Sequence, residues 1–344
     1  MSTPKRRIIP IFIPHSGCTH ECVFCNQNRI SGALAPAISS DVQKIFFTAT
    51  EHIKHEDIDT YEIEIAFYGG SFTALPEVQQ NDLLCTAHEL LSNFPHGAIR
   101  LSTRPDCVDQ VTVLRLKKYG VSTIELGAQS MCDEVLALSR RGHTSNDVKT
   151  ASQIIKSAGI ALVIQMMTGL PGDDFDKSVY TARQISSLKP DGVRIYPTVV
   201  VSDTKLYEMY CTGSYKEHSV KEAVALCQVL ALIFEDAQIP IIRLGLNPTD
   251  ELSGGQAVAG AYHPSFGELV YSGILYHIVA AQLQDIPKDS DIEIIVPQGQ
   301  TSKMIGQHRC NMIALQKEFC IRSVQVIEAA DLFKLSDTKT RRVN

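Results

Sequence analysis

No apolar run in this 344-residue chain reaches the ~18–20 residues that a membrane span needs. The start, "MSTPKRRIIPIFIPH", carries a short basic patch. Pro10 and Pro14 break its apolar run, and no small-residue cleavage site follows, so it does not read as a signal peptide. Those absences predict a cytoplasmic protein. The sequence marks of common hydrolytic and nucleotide-cleaving enzymes are missing too: there is no G-x-S-x-G, no P-loop and no H-E-x-x-H. Internal repeats and low-complexity tracts are absent. The formal net charge of −6 gives no overall nucleic-acid footprint. Charge is nevertheless uneven: from residue 297 onward eight Lys/Arg face four Asp/Glu, a tail of +4 on a body of −10.

Hydrophobic content of 44% and charged content of 20% are those of a globular chain able to bury its own core. Ten cysteines in a chain of this length, with no export signal, do not make a secreted disulfide framework. Cys85, Cys107, Cys132, Cys211, Cys227, Cys310 and Cys320 are scattered, and are expected to be buried thiols acting as small hydrophobes.

Short β-branched runs alternate with helical patterns. Strands are expected at 7–13, 62–69, 98–103, 122–128, 161–167 and 192–199, with amphipathic helices near 39–54, 76–93, 107–119, 146–158 and 175–188. A long helix (219–236), a further strand (239–246) and a Gly-rich loop (253–268) follow. Near-continuous apolar strands alternating with helices argue an α/β fold with a parallel sheet covered by helices, and six such units suit a partial (β/α)6 TIM-type barrel. The tail reads strand–turn–helix–strand. The expected organisation is a barrel over 1–250, a connecting loop and helix over 251–290, and a small C-terminal α+β unit over 291–344.

Against this background, "GCTHECVFCNQNRISG" (17–32) sets Cys18, Cys22 and Cys25 at C-x₃-C-x₂-C, just after the first strand. Three thiolates so spaced can hold three corners of a [4Fe–4S] cube, leaving the fourth iron open to a small ligand. Zinc with a Cys₃His set, His15 or His20 being the fourth ligand, is the rival.

With Phe24 just before the last cysteine, the motif resembles the radical S-adenosylmethionine (radical SAM) superfamily. The resemblance implies a [4Fe–4S] cluster on Cys18, Cys22 and Cys25 that cleaves S-adenosylmethionine to a 5′-deoxyadenosyl radical, fed by an external electron donor of the flavodoxin or ferredoxin class. "FYGGSF" (67–72) resembles the family's Gly-Gly loop, which implies cofactor contacts by Gly69, Gly70 and Ser71. "GAQSMCDEVLALSRRGH" (127–143) resembles the coproporphyrinogen dehydrogenase branch, which implies SAM contacts by Gln129 and Arg141 and leaves Arg140 on a helix surface. "MMTGLPGD" (166–173) resembles the loop that packs on adenine, bringing in Gly169.

The ordered set "YGGSFTALP", "STRPD", "IELGAQS…RRGHT", "GLPG" and "IYPTVVVSDTKLYEMYCTGSYKEHSVKEAV" is similar to the radical SAM domain of the elongator catalytic subunit over about residues 8–245. That likeness implies modification of a tRNA or other RNA base. The sequence carries neither that family's acetyltransferase domain nor its long basic N-terminal region, and Ser102 stands where many members have Glu. The radical half is therefore expected without the acyl-donor half. The alternatives are a dehydrogenase acting on a tetrapyrrole or other small molecule, and a non-catalytic iron–sulfur or SAM-dependent binding protein. In the tail, "VPQGQTSKMIGQHRCNMIALQKEF" resembles a KH module, which implies an RNA contact through Lys303, Gly306 and Arg309, although Arg309 stands where a second glycine belongs. His263 and Glu268, in the Gly-rich loop, read as turn residues rather than as a cap on the barrel mouth.

Overall fold

The computed structural model describes residues 5–13, 20–25, 37–247 and 257–343. The chain opens with β1 (Lys5–Ile13), α1 (Ser39–Thr50), β2 (Tyr61–Gly69), α2 (Glu77–Leu91), β3 (Ala98–Thr103) and α3 (Gln110–Lys118). It continues with β4 (Val121–Gln129), α4 (Asp133–Leu138), α5 (Ser145–Ser157), β5 (Ala161–Thr168), α6 (Phe175–Ser187) and β6 (Gly192–Pro197). Next come β7 (Val199–Val201), α7 (Lys205–Cys211), α8 (Val220–Asp236), β8 (Ile241–Leu244), β9 (Ala257–Gly260) and α9 (Phe266–Gln282). The chain closes with β10 (Asp291–Pro297), α10 (Thr301–Ile305), α11 (Cys310–Phe319), β11 (Ser323–Ala329) and β12 (Lys339–Val343).

Seven strands form one parallel sheet in the order β1-β2-β3-β4-β5-β6-β8, in chain order but for β7, which pairs with β9 in a separate sheet. Among the described residues β1 and β8 do not pair, so the curled sheet is the expected partial barrel, open between its first and last strands. Pro10 lacks a backbone N–H, and its strand lies at the sheet edge, where that loss is tolerated.

Period-two alternation decides what each face carries. Ile9 and Ile11 on β1, Ile63, Ile65 and Phe67 on β2, Ile99 and Leu101 on β3, and Ile124 and Leu126 on β4 are all buried in the core shared with the helices. The other face, concave, is polar. There Glu125 is fully buried, and its Oε1 accepts from Tyr68 (3.0 Å), Arg100 (2.9 Å) and Arg194 (2.8 Å). Its Oε2 meets Arg194 Nε at 2.8 Å and accepts from Gln165 Nε2 at 3.0 Å. Arg100 Nε reaches Glu64 at 3.0 Å, and Arg6 reaches the same carboxylate at 2.9 Å. Burial works to raise the Glu125 carboxyl, but Arg194 and Arg100 outweigh it and hold the group below the ordinary carboxylate range. Burial, reinforced by that carboxylate, pushes the Tyr68 phenol up.

The tail forms a second sheet of order β11-β10-β12, with β10 and β11 parallel and β12 antiparallel. Ile292, Ile294, Val296, Met304, Met312 and Leu315 join the core that runs beneath the barrel. Asn311 Nδ2 fastens the unit to α9, donating to Ser272 O (2.9 Å), Ser272 Oγ (3.0 Å) and Met304 O (3.1 Å). The Gln282 side chain completes the seam by donating to Thr338 O and accepting from Thr340 N.

The scattered cysteines depart from expectation. Only Cys227 is buried; Cys107 and Cys132 are partly covered, and Cys85, Cys211, Cys310 and Cys320 are exposed. Apolar neighbours in sequence do not fix the face of a helix. On α2, Leu83, Leu84, Ala87 and Leu91 point inward and Cys85 turns outward, while Cys310 and Cys320 sit at the two ends of α11.

Removing Glu125 leaves the largely buried Arg194 guanidinium without its carboxylate and Arg100 with Glu64 alone. Glu125→Ala should lose about 3–5 kcal/mol of stability, as expected when one member of a buried ion pair is deleted. Urea unfolding checks this, and a loss below about 1 kcal/mol would mean the network is solvated like a surface pair.

Candidate active site

The C-terminal ends of the barrel strands converge on a cavity of about 860 Å³. A parallel barrel gathers loops from every strand at this end, and this is where its chemistry is built. Cys22 and Cys25 open onto the cavity from the loop after β1, both thiols half-buried. Val23 seats them. Its N–H donates to Ser139 O (3.2 Å), its carbonyl accepts from Leu206 N (2.7 Å), and its side chain is buried among Val200, Leu206 and Tyr215, with Phe24 packed alongside. Cys25 N closes the turn on Cys22 O at 3.1 Å. The segment is thus pinned between the end of α4 and the start of α7.

Facing the thiols, the turn after β2 hugs the end of β1. Gly70 N donates to Ile13 O at 2.7 Å, and Gly69 has φ +100°, where a Cβ would lie 3.1 Å from that same carbonyl. Only glycine suits both demands. Ser71 Oγ bonds Thr103 Oγ1 at 2.9 Å and accepts from Arg104 N at 3.1 Å, joining this turn to the end of β3.

Arg141 is the hub. It is 6% exposed, and its Nη1 donates to Cys22 Sγ (3.1 Å) and its Nη2 to Gly127 O (2.7 Å). Its carbonyl is gripped by Arg104 Nη2, which also pairs with Asp106. A Cβ on Gly127 would sit 3.2 Å from Gln129 Nε2 and 3.4 Å from Arg141 Nη2, so glycine makes room for both side chains. Gln129 adopts φ +66° at a bulge in the β4–β5 pairing. Among the described residues, Arg141 Nε, Arg104 Nη1 and Gln129 Oε1 are buried with no hydrogen-bond partner. Buried polar atoms left open in this way, around one cavity, are the signature of a seat built for a polar ligand.

The structure brings Cys22, Cys25, Phe24, Gly69, Gly70, Ser71, Gln129 and Arg141 together on the wall of this cavity. Cys18 and His15 lie outside the described residues. Gly169 is not on the wall: its N–H donates to Asp173 (2.8 Å), its carbonyl accepts from Tyr215 (2.6 Å), and the His218 ring packs over it. Arg140, expected on a helix surface, lines the cavity with a left-handed backbone (φ +53°). Sequence reading missed Thr103, Arg104, Gln165, Asp203, Lys205 and Glu208, all of which line it. The signal for Arg104 was present in "STRP", where position 102 alone drew notice.

His263 and Glu268 are absent from the wall. His263 Nδ1 accepts from Ser265 N within its turn, and Glu268 accepts from Gln307 of the C-terminal unit. Lys303, Gly306 and Arg309 belong to that unit as well. Lys303 Nζ stands 4.9 Å from the Tyr271 ring centre, and Arg309 takes a left-handed φ of +61° where glycine was missed.

The donor set fits an iron–sulfur cluster and SAM on this structure's own terms. Two thiols face one cavity, a guanidinium stands beside one of them, and a donor and an acceptor are held open nearby.

Behind the hub, His143 Nε2 lies 3.1 Å from Ala128 O, and burial, then the Arg141 charge, pulls the ring's pKa down to about 4. The unfolded chain, with a pKa of about 6.5, takes up the proton first. Stability from this residue is therefore complete above about pH 6.5 and declines as pH falls toward about 4. His143→Asn should flatten that part of the stability profile, measured as urea midpoints across the pH range. Parallel profiles for the two proteins would show that the ring is not held neutral.

Residues 12–185 match the model of the radical SAM superfamily, and residues 190–274 match that of the Radical_SAM C-terminal domain. The chain is 30% identical over 204 residues to Elongator complex protein 3 of Saccharomyces cerevisiae, covering 53% of this chain and 37% of the relative. To the tRNA uridine(34) acetyltransferase of Methanocaldococcus jannaschii it is 35% identical over 239 residues, covering 63% of this chain and 43% of the relative. It therefore spans less than half the length of these curated relatives. The structure of Elp3 from the archaeon Methanocaldococcus infernus, with residues 1–46 deleted, shares the fold at a TM-score of 0.61 and 22% identity, over 79% of this chain and 63% of that one. The family implies a [4Fe–4S] cluster and SAM. Half the chain lies within the superfamily model, and on that ground this protein belongs to the radical SAM superfamily of enzymes, related to Elp3 through its barrel.

Proposed function

We propose that this enzyme binds a [4Fe–4S] cluster through Cys18, Cys22 and Cys25, seats SAM against Gly69, Gly70, Gln129 and Arg141, and modifies a base in tRNA. One observation carries the cofactor half of this reading. Arg141 touches the Cys22 thiol while its own Nε and the nearby Gln129 Oε1 stay buried and unpaired among the described residues. A guanidinium N–H suits the carboxylate of an amino acid, and an amide oxygen suits its ammonium, so the pair matches the two ends of a methionine moiety. When bound, the cluster supplies the single electron for reductive cleavage of SAM; a flavodoxin- or ferredoxin-class donor would replenish it.

The chain's own part is orientation and exclusion of water. The Val23 seat keeps the thiols from swinging into solvent, and the Arg104–Arg141 grip fixes the guanidinium. Support for a base as substrate comes from the relatives, one of which is named for tRNA uridine-34. The size of the cavity adds to it: at about 860 Å³ it lies near the upper end of the ~300–1,000 Å³ of ordinary ligand pockets, enough for a cofactor and a planar group together. Arg140 adds positive charge to the lining, suited to a phosphate flanking that base, whereas Lys205 is paired with Glu208 on the same wall.

Arg141→Ala should weaken SAM binding about 10- to 150-fold, the equivalent of about 1.5–3 kcal/mol for a charge-assisted bond. Equilibrium binding to the reconstituted protein measures it, and unchanged affinity removes Arg141 from the SAM seat. For the substrate, total tRNA from deletion cells should lack one modified nucleoside, restored by the wild-type gene and not by Cys22→Ala. Identical nucleoside profiles in all three strains would exclude tRNA and leave small molecules.

A further inference from the structure

A second cavity, of about 650 Å³, lies away from the cysteine loop, where the end of α8 and the start of β8 meet the C-terminal unit. Its walls are ill-suited to mere packing. Lys303 Nζ is half-buried over the Tyr271 ring and has no ion-pair partner among the described residues. Burial pulls its pKa down, and the charge opposing that shift is Glu268, which is already bonded to Gln307. An ammonium partly removed from water without a contact ion pair is costly, and a bound anion relieves it. Lys334 brings a second basic side chain to the same cavity, and Glu235, whose Oε1 accepts from Leu335 N, is the one carboxylate on its wall among the described residues.

Two further groups point past a simple inorganic anion. Gln300 Oε1 is buried with no hydrogen-bond partner among the described residues, an acceptor open to an N–H donor. Phe333 lines the cavity with 86% of its surface exposed, although its loop is well tied down. Phe333 N and Lys334 N both donate to Asp337 (3.0 and 2.9 Å), and Leu335 N donates to Glu235 (2.8 Å). The ring is therefore presented on an ordered support, where an exposed aromatic serves as a stacking platform. Ile239 and Pro240 give the floor an apolar patch.

Paired ammonium groups, an open amide acceptor and a stacking ring together describe a ligand with a negative end, N–H donors and a flat face. We infer that this junction cavity binds a nucleoside phosphate. The phosphate lies toward Lys303 and Lys334, and the base lies on Phe333 with a donor to Gln300. This site is separate from the radical SAM cavity and does not depend on the tRNA reading. The ligand's source is either a free nucleotide or an unpaired residue of an RNA strand, and both present the same chemistry.

Calorimetric titration of the full-length protein with AMP, GMP, CMP and UMP in turn tests it, with the matching nucleosides as controls. At least one nucleotide should bind at sub-millimolar concentration, and its nucleoside at least tenfold more weakly. Lys303→Met and, separately, Phe333→Ser should each weaken that nucleotide at least tenfold while leaving SAM cleavage unchanged. Phe333 is on the surface, so its variant stays informative if Lys303→Met does not fold. A trinucleotide of the preferred base separates the sources: tighter binding than the monomer, lost in the same variants, assigns the site to an RNA strand, and binding no tighter assigns it to free nucleotide. The inference fails if no nucleotide binds up to millimolar concentration, or if binding persists undiminished in Phe333→Ser.

Discussion

The barrel hangs on the carboxylate of Glu125. An open, curled parallel sheet has a concave face that no helix covers, and apolar side chains there would stay wet. In this protein the face is closed chemically. Glu125 on β4 gathers Arg100 from β3, Tyr68 from β2, Gln165 from β5 and Arg194 from β6, while Glu64 carries the chain of contacts on to Arg6 of β1. Six neighbouring strands are thereby tied across their width by side chains, in addition to the backbone ladder. Tyr68 lies one residue, and Arg100, Gln165 and Arg194 three residues, before the strand ends that carry the site, so the network fixes where those ends lie. Gln165 belongs to both, bonding Glu125 while lining the cavity above.

From that floor upward, the site is assembled by contacts between segments remote in sequence. Arg104 from the end of β3 holds the carbonyl of Arg141, and Arg141 reaches both Gly127 and the Cys22 thiol. The cysteine segment itself is seated by α7 and by Tyr215, whose hydroxyl also holds the Gly169 turn. That turn thus contributes to the site by supporting the residue that supports the cysteine loop, although it does not touch the cavity.

Much of this was legible in the sequence, because strand and helix periodicities reflect burial on the outer face, and that face is regular. The C-x₃-C-x₂-C spacing was legible for a different reason: three thiols so close have few other uses. The concave face was harder to read. Arg100, Glu125 and Arg194 interrupt apolar strands as single charges, and nothing local shows that they meet. The β7–β9 pair was hidden for want of length, since "VVV" is too short to show a period and Ala257–Gly260 sat inside a stretch read as a Gly-rich loop. The last strand, "KTRRV", looked like a charged tail; it is an edge strand, and edge strands carry charge to discourage further pairing. Lys303 read as an RNA contact beside the Gly306 turn; its stack on Tyr271 was not legible, because it joins two units that the sequence shows separately.

The Val23 seat carries a consequence for the order of events in the cell. The cysteines leave the ribosome well before Leu206 and Tyr215, which hold Val23 in place and emerge only after the first seven strands have been made. Chains are synthesised at about 5–20 residues per second, so the thiols spend many seconds outside without their support. A cluster held as proposed would therefore be delivered to the finished barrel rather than to the nascent chain. In that interval the thiols depend on the reducing environment around them, and growth under oxidative stress should penalise newly made molecules before mature ones.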